Sequence, residues 1–223
     1  MGLFSENVDL TYLIIPGIII LFAAAVLLAW LHEKKRRALL KEIADSLSFS
    51  YAEKDNGFLL SSLDQFYLFS QGRSRRIYNV MKGTLIGTAI TIMDYRYTTG
   101  GGKNSTTFKQ TVIIFDSEHL QLPSFSLRPE NVFHKIGSAF GYRDIDFDSH
   151  PGFSKKYLLR GMNEEAVRNT FDYDLLSYCE QQKNLYLEGE GNKLIYYKFG
   201  RRIKPDEIKL FLEQGMAVFN QFR

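Results

Sequence analysis

Asp144, Asp146 and Asp148 stand at alternating positions, and His150 follows two residues later. Carboxylates and an imidazole are side chains of the types that ligate metals, and a metal there would equip a membrane-tethered hydrolase or another metal-dependent enzyme. The three aspartates match the start of a calcium loop. Such a loop needs glycine at its sixth position and a bidentate glutamate at its twelfth. Ser149 and Lys155 occupy those places. Alternation explains the same residues without a metal: DIDFD (144–148) puts three carboxylates on one strand face and Ile145 and Phe147 on the other. The expectation is therefore a half-buried strand, with no metal and no cofactor; the enzyme built on this cluster is the alternative.

Other candidates are weaker. Gly100-Gly101-Gly102-Lys103 lacks the four-residue spacing and the following helix of a phosphate loop, and it reads as a hairpin tip. With Tyr95, Arg96 and Tyr97 at its base and Lys103 on it, this tip is a candidate partner contact. His119, His134 and His150 are scattered, and neither H-E-x-x-H nor G-x-S-x-G occurs. Arg73, Arg75 and Arg76 form a basic turn of the kind that is usually solvated. One cysteine, Cys179, excludes an internal disulfide and a multi-cysteine zinc site.

The elements that position these residues begin with an anchor. Residues 12–31, YLIIPGIIILFAAAVLLAWL, carry no charge. As a helix they reach about 30 Å, the thickness of a bilayer's hydrocarbon core. Before them there is no Lys or Arg; after them come Lys34, Lys35, Arg36, Arg37 and Lys41. That asymmetry predicts a single span, N-terminus out, with the domain on the cytoplasmic side of the plasma (inner) membrane. A cleaved signal peptide would need a basic start and a shorter apolar core. The five bases are expected at the membrane surface, against anionic headgroups. The organisation follows as a short extracytoplasmic tail (1–11), a transmembrane helix (12–31), a basic amphipathic stem (32–49) and a cytosolic domain (50–223).

All 28 bases and 23 of the 25 acids follow the span, and residues 33–42 of the stem supply five bases and two acids, so the remaining sequence carries only +2. That is too near neutral for a nucleic-acid footprint. Leu39, Leu40, Ile43 and Leu47 make an apolar stripe on the stem, and Pro16 and Gly17 are the only helix breakers from 12 to 47. The stem is thus expected to fold with the domain and not to act as a tether. Strand-like runs follow at 66–71, 76–81, 84–97, 107–117 and 120–130, separated by short turn-rich links that force antiparallel neighbours. Ile86, Ile90 and Ile92 share one face of the third run, while Met93, Tyr95 and Tyr97 share the other, which predicts a bulge or cover on both sides. Helices are expected at 130–137, from Asn163 to about Gln182, and after Pro205; a hairpin is expected at 184–199 about Gly191-Asn192. The fold class is α+β: an N-terminal transmembrane helix, then a mainly antiparallel sheet with packed helices.

The phrases LPSFSLRPE (122–130), DIDFDSHPGFSKKYLLRG (144–161) and NEEAVRNTF (163–171) resemble uncharacterised bacterial single-span membrane proteins with a small cytosolic α+β domain. The resemblance covers most of residues 40–223 and implies no catalytic residue. Together these features point to a membrane-anchored interaction or accessory module, with the lipid bilayer and a membrane protein as its partners.

Overall fold

The computed structural model describes residues 11–130 and 144–223. The first element, α1 (Thr11–Ser46), is one continuous 36-residue helix with Pro16 in its second turn. Its apolar part, from Ile14, is long enough to cross a membrane and is not buried against the domain. Its other end is part of the fold. Leu40 and Ala44 are fully buried, and Ile43 and Leu47 pack against the same core. The helix stops in a Schellman motif: Ser48 turns left-handed at φ 59°, and the Phe49 and Ser48 N–H groups donate to the carbonyls of Ala44 and Asp45. This turn drops Phe49 into the core.

The domain is built on an eight-stranded antiparallel sheet. Its strands are β1 (Ser50–Lys54), β2 (Arg73–Leu85), β3 (Thr88–Thr99), β4 (Thr106–Asp116), β5 (Leu122–Pro129), β6 (Tyr157–Gly161), β7 (Tyr186–Gly191) and β8 (Lys193–Tyr197), in the order β1-β2-β3-β4-β8-β7-β5-β6. The helices α2 (Phe58–Ser61), α3 (Tyr67–Ser70), α4 (Pro151–Lys156), α5 (Glu164–Thr170), α6 (Tyr173–Gln181) and α7 (Ile208–Phe219) complete it. The α+β class expected from the sequence is the observed one.

Both faces are covered, which accounts for the switch of apolar face along β3. Ile90 and Ile92 lie in the larger core with α1 and α4 to α7. Met93, Tyr95 and Tyr97 lie in a second core with Leu68 and Phe69 of α3. Within β4, Ile113 and Phe115 enter the first core and Val112 and Ile114 the second. On α7, a Cβ at Gly215 would meet the Phe115 ring at 2.9 Å, so glycine there lets the helix approach the sheet closely.

Several local expectations change. Residues 66–71 are not a strand. Tyr67–Ser70 form one helical turn, because Leu68 donates its N–H to the buried Glu188 carboxylate instead of to a ladder. The second hairpin turns at Ile86-Gly87 and not at Lys82-Gly83; both turn residues have positive φ, and Gly83 stays in β2 where the Phe49 ring lies on it. DIDFD is no regular strand. Ile145 donates to the Leu159 carbonyl, but the return bond from the Leu159 N–H goes to the Asp144 side chain, so the ladder ends there. The helical stretch after Asn163 breaks at Phe171, and Asp172 caps α6 by accepting from the Leu175 N–H. Strand β6 and helix α4 carried no sequence expectation. The helix expected at 130–137 lies outside the described residues, except for Glu130.

The packing of α1 predicts that the stem cannot be cut away. A fragment starting at Ser50 loses Leu40 from the core, worth about 1.5–3 kcal/mol, and loses Arg36, a partner of the buried Asp94 described below. Urea unfolding should show a cooperative transition for a fragment starting at Glu33 and a loss of more than about 4 kcal/mol, or no transition, for the shorter one. Equal stability of the two would show that the stem is a tether.

Candidate functional site

Asp94 ends the apolar run of Ile90 and Ile92 on one face of β3. It follows Ile90 and Ile92 at the strand period, so its side chain points under α1 and is only 1% exposed. A carboxylate in that position must be neutralised and hydrogen-bonded. Arg36 of α1 does both, with Nε at 3.1 Å and Nη2 at 2.9 Å from its two oxygens. Asn79 Nδ2 (2.9 Å), Thr111 Oγ1 (2.8 Å) and Arg202 Nη2 (3.2 Å) donate as well. Arg36 spends its remaining Nη1 on the Ile203 carbonyl at 2.7 Å. Arg202 also reaches back to Glu33 of α1 with two bonds of 3.0 and 2.9 Å. Two guanidiniums thus meet two carboxylates, and the group is neutral as a whole. Burial opposes the charge on Arg202, but the Glu33 hydrogen bond and Asp94 outweigh it and raise its pKa. Burial pushes Glu33 up, but Arg202, with Asn79 and Arg36, reverses this and leaves its pKa lowered.

Next to this clasp lies an open cleft of about 470 Å³, at the end of β1, with Lys54 and Asp55 in its lining. Its lining holds six bases and two acids. Glu33 and Arg202 form its wall toward α1. Arg76 is the direct cross-strand partner of Arg96, and Arg96 of Lys109, so three cations stand in a row across β2, β3 and β4. They occupy the row next to Tyr78, Asp94 and Thr111. Arg202 stacks over the Tyr78 ring at 5.3 Å, and burial lifts the Tyr78 hydroxyl to about 12. The other acid in the lining, Asp55, accepts backbone N–H bonds from Gly57, Leu59 and Leu60.

The residues singled out from sequence scatter across this picture. Of the stem bases, Lys34, Lys35 and Lys41 are exposed, and Arg37 pairs with Glu53 at 2.8 Å. Arg36 is 7% exposed and fully engaged, so it is not a headgroup contact. Tyr95 and Tyr97 are buried and stacked, with centroids 5.5 Å apart, which removes them as partner contacts. Arg96 lies in the cleft, and Lys103 is exposed at the hairpin tip, in the 3-10 turn Gly102–Asn104. The aspartate cluster does not converge. Asp144 is half-buried on the Leu159 N–H and lifted to about 6, first by burial and then by Asp146. Asp146 and Asp148 are exposed, while His150 is buried between Ser149 (3.1 Å) and Ser177 (3.0 Å). Among the described residues no three His, Cys, Asp or Glu side chains gather as a metal site would need.

On the opposite face a smaller cavity of about 150 Å³ reaches Glu188. This carboxyl is 1% exposed and accepts from the Leu68 N–H and from the Tyr197 hydroxyl at 3.0 Å. Arg128 lies over the Tyr67 ring at 5.0 Å and adds its charge nearby. Burial wins, and the Glu188 pKa rises to about 7.

Two consequences can be measured on the full chain in detergent. Asp94→Asn keeps the shape of the clasp but removes the charge opposite Arg36; the expected loss is about 3–5 kcal/mol in thermal unfolding. A loss under about 1 kcal/mol, the value of a surface pair, would contradict the buried clasp. Glu188 holds its proton more tightly folded than unfolded, so its contribution to stability is greatest below about 4.5 and is lost as pH rises through about 7. Glu188→Gln should flatten that decline in melting temperature between pH 5 and 8; an unchanged profile would locate the titration elsewhere.

No protein-family model matches the chain, and no curated protein matches it. Among solved structures, the crystal structure of the mycobacterial trehalose monomycolate transport factor A, TtfA, is similar at a TM-score of 0.59 and 16% identity. The match covers 84% of this chain and 90% of that one, and at this identity the likeness is one of fold.

Proposed function

We propose that the chain is a single-pass, membrane-anchored accessory module at the cytoplasmic face of a bacterial inner membrane, which presents its sheet domain to a membrane-protein partner. The observation that carries this reading is the two-part character of α1. Its N-terminal half is apolar and uncovered, and its C-terminal half is locked to the sheet by Leu40, Ala44 and the Arg36–Asp94 clasp. A flexible linker would let the domain wander; here the domain is held at one height and one rotation. The arrangement fits the bacterial single-span proteins that the sequence resembles. The description of TtfA as a transport factor supports an accessory role beside a membrane transport assembly.

Lys34, Lys35 and Lys41 are free to meet anionic headgroups, each contributing about 1 kcal/mol near the surface. The absence of Lys and Arg before the apolar stretch supports the N-terminus-out orientation. A phosphatase reporter fused after Arg223 should be inactive, and affinity capture from detergent-solubilised membranes should bring down an integral membrane protein in stoichiometric amount. Phosphatase activity in the periplasm would overturn the orientation.

A further inference from the structure

We propose that the cleft beside the clasp binds a phosphate group, with Arg76, Arg96 and Lys109 as its ligands. These three are direct cross-strand neighbours, which places their side chains about 5 Å apart at the Cβ atoms. Like charges in that register repel each other and destabilise a sheet. Among the described residues none of the three has an ion-pair or hydrogen-bond partner that would relieve the repulsion. The two acids of the lining are already engaged, Glu33 by Arg202 and Asp55 by backbone N–H groups. Lys54, also in the lining, adds a further exposed cation.

A compact anion with several acceptor oxygens satisfies this geometry. Two facing guanidiniums can each grip a phosphate through paired N–H bonds, and the lysine adds a point charge. Leu60 and the Tyr78 ring supply an apolar wall for the carbon skeleton attached to it. The height of the cleft identifies the nearer source. Glu33 lies in its wall two residues after Leu31, the end of the apolar run, which is about 3 Å along the helix. A phospholipid headgroup is presented at that level; a soluble phosphomonoester offers the same chemistry. The lipid source rests on the anchored reading above, whereas the phosphate chemistry does not.

The test uses the full chain in neutral detergent. Native mass spectrometry and calorimetry would measure binding of phosphatidic acid, of glycerol 3-phosphate and, as a phosphate-free control, of diacylglycerol. Two variants are compared: the cleft triple Arg76→Gln/Arg96→Gln/Lys109→Gln and the stem triple Lys34→Gln/Lys35→Gln/Lys41→Gln. The expected result is that phosphatidic acid binds, diacylglycerol does not, and affinity falls at least tenfold in the cleft triple but less than threefold in the stem triple. Relief of the cross-strand repulsion should leave the unliganded melting temperature of the cleft triple equal or higher, which also certifies its folding. Binding of glycerol 3-phosphate as tight as that of phosphatidic acid, lost in the same triple, supports the site with a soluble ligand. Equal affinities of wild type and cleft triple for both phosphates, or a cleft triple that melts lower, would overturn the proposal. The phosphatase result reports separately on the anchor.

Discussion

The structure depends on one buried carboxylate. Asp94 sits in the middle strand of a three-strand patch, almost without solvent, and would be costly there alone. Arg36 comes to it from a different part of the chain, 58 residues earlier, and Arg202 from 108 residues later. The clasp therefore ties helix α1, the centre of the sheet and the C-terminal segment at one point. A buried ion pair need not add much net stability over apolar packing. Its consequence is specificity. The two oxygens of Asp94 face Arg36, Asn79, Thr111 and Arg202 in one arrangement only, so α1 has one position on the sheet.

That position decides what else can form. With α1 over β1 to β3, the sheet needs its remaining first-face cover from α4 to α7, and its second face from α2 and α3. The clasp also consumes the acids that would otherwise neutralise the neighbouring row of bases. Arg76, Arg96 and Lys109 are left as the electropositive edge of the domain, beside the helix that leads to the apolar stretch. Neutral clasp and charged cleft are two parts of the same charge arrangement.

Periodicity made much of this legible. The apolar run, the stem stripe, the two-faced β3, the 184–199 hairpin and the Pro205 helix all follow from spacing of apolar residues and from turn formers. What failed were places where a side chain replaces a backbone partner. Glu188 holds the Leu68 N–H and makes a helical turn of a strand-like run, and Asp144 takes the Leu159 N–H and ends a ladder. Tyr95 and Tyr97 looked like the base of a binding tip because the switch of apolar face along β3 fits a bulge as well as a covering layer. Arg36 looked like one more stem base, since its partner lies far away in the chain. The one available signal was Asp94 itself, a lone acid at an inward position after Ile90 and Ile92. The row of three bases is invisible until strand register is known.

A rigid junction between an apolar helix and a folded domain is the central claim, and distance measurement tests it most directly. Spin labels placed on the exposed Leu28 and Lys109, in the full chain reconstituted into nanodiscs, report the separation of helix and sheet by pulsed electron resonance. The account predicts a single narrow distance distribution that broadens when Asp94→Asn is introduced. A broad distribution in the otherwise native chain, or a narrow one untouched by Asp94→Asn, would contradict it.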